Sequence, residues 1–297
     1  MNQERWGRRI WRLIYPGLTY LGICFIIEVI AAVWIAFSTV SQYDINTLNS
    51  EMNNIINGMV DRTLSIALEL QVLAAFLTLP ILILYYRMDR KREERQKLVH
   101  RFTPVPAWQY VLVAVLGMAA CLAGNNLVFA SGLYQVSDAY DAISELLYGG
   151  KLALELVGLG IIVPVVEEII FRGLMYRRMR EYMNVSMASV VCSMIFGFYH
   201  GNLVQGVYAF CLSLLFIYVY ERFHSMVAPI LFHVAANLLS VVVSEMDLLD
   251  GIHRSAVSFW GSTIVACGVL IGMVYLIERF VYSEEILEEP VSGQENE

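Results

Sequence analysis

Residues 158–180 read GLGIIVPVVEEIIFRGLMYRRMR, the end of an apolar stretch that begins near residue 152 and closes on Arg177, Arg178 and Arg180. A hydrocarbon core about 30 Å thick is crossed by about 20 apolar residues in a helix. The 152–175 stretch has that length, yet it carries Glu167, Glu168 and Arg172 inside it, with Pro164 just upstream. Ionisable groups within a span cost roughly 2.5–3.5 kcal/mol each on insertion scales, so they are read first as functional.

The same apolar pattern extends through the chain. Hydrophobic residues make up 58% of the 297 and charged residues 16%, against about a quarter charged in a soluble domain. Seven more runs are long enough to read as spans: 17–40, 63–86, 108–132, 186–200, 203–221, 226–244 and 258–282, the fifth of the eight being the shortest. In lipid the backbone must satisfy itself, so these runs are expected to be helices. The fold class is therefore all-α, a polytopic bundle of about eight transmembrane helices around an intramembrane polar cavity. The stretch from Gly17 to Val40 is too long for a cleaved signal segment and reads as a retained first helix. Segment 41–62 is polar and reads as an external, partly helical loop.

Orientation follows from the basic residues. The N-terminus has four arginines and 87–101 (RMDRKREERQKLVHR) has seven basic residues; with Arg177, Arg178, Arg180, Arg222 and Arg279, sixteen of the twenty fall on one side. The positive-inside rule then places both termini in the cytoplasm, of a bacterial plasma membrane by preference. The loops 133–150 and 245–257 are acidic and fall outside. Basic clusters beside spans give no support to nucleic-acid binding. The five cysteines form no C-x-x-C pair and read as buried free thiols. The chain divides into 1–149, N-terminal helices with a basic cytoplasmic loop; 150–245, the core holding the intramembrane polar residues; 246–282, a last span; and 283–297, an acidic tail expected to be disordered.

Two further stretches carry polar residues in apolar runs. VVCSMIFGFYHGNLVQGVYAF (190–210) holds His200, and VAPILFHVAANLLSVV (227–242) holds His233 and Asn237. Glu168 and Arg172 lie four apart, the favourable order for a helical ion pair. Glu167 is turned about 100° from Glu168 and is expected to face a different space, free for chemistry. His233 and Asn237 project together, and Phe196 is placed to wall the site beside His200. His200 closes a span that starts inside, so a site shared with Glu167 requires the His200-Gly201-Asn202 turn to stop within the membrane. Structural readings are available for single residues. Glu28 is read as an interhelical hydrogen-bond residue or part of a substrate path, Glu69 and Glu155 as reaching interfacial water, and Gly268-x-x-x-Gly272 as a packing face. The combination is what persuades.

Glu167-Glu168-x-x-x-Arg172, Phe196-x-x-x-His200 and His233-x-x-x-Asn237, in this order and each in a span, resemble the three-motif set of the CPBP (CAAX protease and bacteriocin-processing, or ABI) family. The resemblance covers roughly 150–245. It implies eight membrane helices, a water-filled cavity, and peptide hydrolysis without a covalent intermediate or a metal. By motif, Glu167 and His200 would activate water, His233 and Asn237 would stabilise the oxyanion, and Glu168 and Arg172 would organise the helix. Amide hydrolysis needs such a base and such donors. The expected activity is an intramembrane endopeptidase acting on a hydrophobic, lipidated or membrane-associated peptide. A zinc-dependent protease with Glu167, His200 and His233 as ligands ranks second, although the usual H-E-x-x-H helix is missing. A non-proteolytic scaffold or immunity protein on the same fold is the further alternative. A transporter is disfavoured, since no inverted repeat with paired broken helices is visible.

Overall fold

The computed structural model describes residues 6–96, 102–133 and 150–285. Most of the acidic loop 133–150, the end of the basic segment 87–101 and the tail beyond residue 285 lie outside the described residues. The helices are α1 (Trp6–Val40), α2 (Ile45–Leu64), α3 (Ala67–Arg95) and α4 (Tyr110–Ser131), the last entered through a 3₁₀ turn, Ala107–Gln109. Next comes α5, spanning 152–180 in five successive stretches. It is followed by α6 (Val185–Tyr199), α7 (Leu203–Phe223), α8 (Val227–Glu245), α9 (Leu248–His253) and α10 (Ala256–Phe280). Among the described residues the only β pairing is an isolated antiparallel bridge between Phe102 and Glu285. The protein is a polytopic helical membrane bundle.

Among the described residues, six helical segments are long and apolar enough to cross a membrane: α1, Ala107–Ser131, α3, α7, α8 and α10. The other two expected spans differ. α6 has 15 residues, about 22 Å of helix at 1.5 Å per residue, short of a full crossing. α5 is interrupted by π-helical stretches at Gly158–Ile162 and Ile169–Tyr176. Proline 164 explains the first interruption: it has no N–H to give to the preceding turn, and its ring crowds the carbonyl there, so the ladder widens around it.

α4 lies between α8 and α10, α6 pairs with α7, and α1 packs on α3 and α2. α8 runs along the first half of α5. One contiguous core joins α3, α4, α5, α6, α7 and α8, with Leu82, Leu116, Ile170, Phe196, Phe216 and Phe232 fully or almost fully buried. The outer face of α1 is the reverse: Phe25, Ile30, Trp34 and Phe37 are all exposed, as expected of side chains whose solvent is lipid.

The basic ends of the helices meet at one end of the bundle. Arg12 holds Glu181 through two bonds of 3.0 and 2.9 Å. Arg178, itself buried, donates to Asp89 Oδ2 at 2.5 Å, to the Tyr15 hydroxyl at 2.7 Å and to the Arg12 carbonyl. Arg177 pairs with Glu93. α1, α3 and α5 are thereby tied where the sequence concentrates its positive charge. On the same side, Glu284 and Ser283 bond to Thr103, so the first residues of the acidic tail are held, not loose.

Several sequence expectations are corrected. α1 starts at Trp6, well before residue 17, while the segment 41–62, expected to be partly helical, does carry helix α2. Glu155 is fully buried and accepts the Gly150 N–H at 2.8 Å instead of reaching interfacial water. Glu69 does reach outward, 3.9 Å from Lys151. Glu28 is exposed and makes no interhelical hydrogen bond among the described residues. Among the described residues nothing lies within 4 Å of a Cβ placed on Gly268 or Gly272, so this pair is not a packing face between them. Of the five free thiols, Cys121 and Cys192 are buried while Cys211 is exposed.

Candidate active site

The site is built where the short α-helical stretch Val163–Glu168 sits between the two π-helical stretches of α5. Wide turns of this kind are rare and change which side chains share a face. Here Glu167 and Glu168 are both buried, at 6% and 0% exposure, and both approach His233 of α8. His233 Nδ1 bonds Glu168 Oε1 at 2.8 Å, and its Nε2 lies 3.7 Å from Glu167 Oε2. The expectation that Glu167 faces a separate space is therefore overturned: the two carboxylates grip one imidazole from its two nitrogens.

Glu168 Oε1 also accepts from Arg172 Nη1 at 3.0 Å, the expected pair four residues apart. Arg172 is fully buried, so an isolated charge there would be costly. Its cation is enclosed by the rings of Phe196 and Phe216, 4.5 and 4.7 Å from its central carbon, and Nη2 donates to Ser213 Oγ at 2.5 Å. Phe216 in turn stacks on the His233 ring at 4.6 Å and 24°. Glu168 Oε2 is buried with no hydrogen-bond partner among the described residues.

His200 is half-buried at the end of α6. Its Nδ1 faces the Phe196 carbonyl at 2.8 Å, and its ring meets Phe196 edge-on at 4.8 Å, so Phe196 walls the site as expected. Phe196 also lies 6.1 Å from the His233 ring, between the two imidazoles. A carbonyl oxygen can only accept, so Nδ1 of His200 carries a proton and Nε2 is left for the site. The same holds at His233, because Glu168 Oε1 already accepts from an arginine that cannot lose its proton. His200 makes no ion pair with Glu167 among the described residues.

Two turns place these groups. Gly201 sits at φ 74°, in the left-handed region, and lets α6 reverse into α7 within three residues; Asn202 then caps α7 by accepting the Gln205 N–H at 2.9 Å. A Cβ on Gly197 would fall 2.6 Å from the Gly206 carbonyl oxygen, so only glycine permits the approach of α6 to α7 there. Asn237, one turn beyond His233, donates to the Leu159 carbonyl at 3.0 Å. Leu159 belongs to the first π-helical stretch, whose altered ladder opens this carbonyl to an outside donor. One of the two amide N–H groups of Asn237 is thus used structurally, and the second is free to serve the site. Among the described residues, no three His, Cys, Asp or Glu side chains gather at metal-ligand spacing, and the proposed ligands Glu167, His200 and His233 form no such set.

Residues 149–239, which include every one of these motif side chains, match the family model described as Type II CAAX prenyl endopeptidase Rce1-like. The match falls on the segment whose three motifs resemble the CPBP family. The chain is also 26% identical over 122 residues to "Putative membrane peptidase YdiL" of Bacillus subtilis (strain 168), covering 41% of this chain and 49% of that protein. It thus spans about half the length of the curated relative that it matches. No solved structure matches the chain. The matched segment contains two site residues that sequence reading missed, Ser193 and Ser213, both fully buried. A signal for them existed: each stands three residues before a phenylalanine of the site, Phe196 and Phe216.

Proposed function

We propose that the protein is an intramembrane endopeptidase that hydrolyses a peptide bond with an activated water. The observation that carries this reading is the pair of imidazoles, each tied through Nδ1 to an oxygen acceptor, with His233 Nε2 beside the buried Glu167 carboxylate. The 3.7 Å between Glu167 Oε2 and His233 Nε2 exceeds a direct hydrogen bond, so a water beside this pair would be within reach of both. Glu167, assisted by His200, takes a proton from that water. The hydroxide oxygen bonds to the carbonyl carbon as the C=O π pair moves onto oxygen. His233, which enters the cycle with a solvent-derived proton on Nε2 and keeps it throughout, and the second N–H of Asn237 donate to the oxyanion. The C–N bond then breaks, and the departing amine receives the proton from Glu167. Glu168 and Arg172 hold His233 in place.

The substrate class is a hydrophobic, lipidated or membrane-associated peptide, reached from the bilayer, with both termini of the enzyme cytoplasmic. The bacterial relative supports a bacterial plasma membrane. The test is cleavage of a mixed hydrophobic peptide library by the protein in lipid vesicles, read by mass spectrometry, for wild type and Glu167→Gln, each with and without a strong zinc chelator. Products that vanish with Glu167→Gln and survive chelation support the reading. Loss on chelation transfers it to a metal-dependent protease. No Glu167-dependent product from folded protein rejects it in favour of a scaffold.

A further inference from the structure

α6 and α7 approach Arg172 with the same two side-chain types at the same spacing. Ser193 and Phe196 come from one helix, Ser213 and Phe216 from the other, each pair three residues apart and so on one face. Arg172 Nη2 donates to Ser213 Oγ at 2.5 Å and to the Ser213 carbonyl at 3.3 Å. The Ser213 hydroxyl passes its own proton to Ser193 Oγ at 2.8 Å. Both serines are fully buried, so no bulk water competes for these bonds. The two rings fix the guanidinium from its sides, and the two serines fix its rotation.

A guanidinium is planar, with donors in a rigid fork. Holding Nη2 therefore also aims Nη1, which meets Glu168 Oε1 at 3.0 Å; that oxygen receives His233 Nδ1 at 2.8 Å. A rotation at Ser213 would be transmitted through three hydrogen bonds to the direction of His233 Nε2.

We infer that Ser213, backed by Ser193, is a positioning residue for His233, acting through Arg172 and Glu168. Its catalytic consequence rests on the hydrolase reading; the placement of His233 does not. A purely structural role, satisfying a buried arginine, would lower stability alone.

The experiment uses the full chain in lipid vesicles: wild type, Ser213→Ala, Ser213→Thr, Ser193→Ala and Glu167→Gln. Two quantities are read. One is kcat and KM for a peptide that the library identifies; the other is the rate at which diethyl pyrocarbonate labels His233, located by mass spectrometry. Ser213→Ala is expected to lose about 10-fold to 100-fold in kcat, the scale of an ångström-sized misplacement, with KM nearly unchanged and with faster labelling of His233. Ser213→Thr, which keeps the hydroxyl, is expected to restore both. His233 labelling at the wild-type rate in Ser213→Ala overturns the inference, as does unchanged kcat in an active enzyme. If wild type gives no Glu167-dependent product, the hydrolase reading falls and the labelling rate alone decides the placement. Should Ser213→Ala fail to fold, Ser193→Ala, one bond further from the arginine, is judged by the same two readouts.

Discussion

Glu168 and His233, 65 residues apart in the chain, meet through a single oxygen: Oε1 accepts His233 Nδ1 at 2.8 Å while also accepting Arg172 Nη1 at 3.0 Å. Glu167, next door on the same helix, reaches the other imidazole nitrogen only at 3.7 Å. The adjacent carboxylates are thus unequal. One is locked into a buried ion pair; the other has a loose contact at the mouth of the same group.

That inequality predicts opposite behaviour for two conservative changes. Glu168→Gln leaves the Arg172 charge buried without its partner, a change that costs about 3–5 kcal/mol in comparable buried pairs. Glu167→Gln removes no strong bond. Thermal unfolding in one detergent–lipid mixture should therefore fall sharply for Glu168→Gln and stay near wild type for Glu167→Gln, while both lose cleavage. Equal melting of the two variants would contradict the geometry.

The bond between Asn237 and the Leu159 carbonyl gives a graded series. Asn237→Ala orphans the carbonyl, at a cost of about 1–3 kcal/mol if water cannot replace the donor. Asn237→Asp sets an acceptor against an acceptor and should be worse still. Hydrogen exchange of the Val163–Glu168 amides reads the loss where it occurs, with Asp faster than Ala and Ala faster than wild type. The reverse order of Ala and Asp would show that the amide is not donating there.

The i, i+4 pairs were readable in the sequence because a helix fixes which side chains are neighbours. Glu168–Arg172 is present as the spacing requires, and Phe196 does wall His200. The separation of Glu167 from Glu168 was misjudged for another reason: both lie in a regular α-helical stretch, and the two nitrogens of His233 let one imidazole span the roughly 100° between them. Pro164 signalled a local disturbance, yet a proline alone does not say whether a helix kinks or widens. The spacing of Ser193 and Ser213 to a phenylalanine was too ordinary a signal to single them out, because buried serines are common in membrane helices, and only the tertiary approach of α6 and α7 gives these two a common partner. The Gly268–Gly272 spacing failed in the other direction, since a pattern that permits close packing does not supply a neighbour.

Charge at the basic end of the bundle should matter unevenly. Arg178, 2% exposed at its side chain, ties α5 to α1 and α3, whereas Arg222, 34% exposed, pairs with a half-exposed Glu278 at 3.1 Å. Exposed pairs contribute about 0–1 kcal/mol, while breaking a buried one costs about 3 kcal/mol or more. Arg178→Ala should lower the unfolding temperature by several degrees and expose α1 to limited proteolysis. Arg222→Ala should leave both within error, and comparable losses for the two would mean that burial does not set the ranking.

The α6–α7 hairpin separates steric contact from backbone strain, and three alanine substitutions test them apart. Gly197→Ala places a Cβ 2.6 Å from the Gly206 carbonyl oxygen, a backbone atom that cannot swing aside, whereas Gly206→Ala meets the Gly197 oxygen at 3.2 Å. Overpacking of this kind costs about 1–3 kcal/mol, and the closer contact should lie at the upper end. Gly201→Ala meets nothing within 4 Å but must hold a φ of 74°, which costs an ordinary residue about 1–2 kcal/mol. All three should destabilise, with Gly197→Ala above Gly206→Ala. Gly197→Ala must also push α6 away from α7 and carry Phe196 and His200 with it, so its cleavage rate should fall further than its stability loss explains. Measuring kcat well below each variant's unfolding temperature makes the comparison. A Gly197→Ala enzyme with normal kcat would mean that the approach of α6 to α7 supports the fold without setting the site.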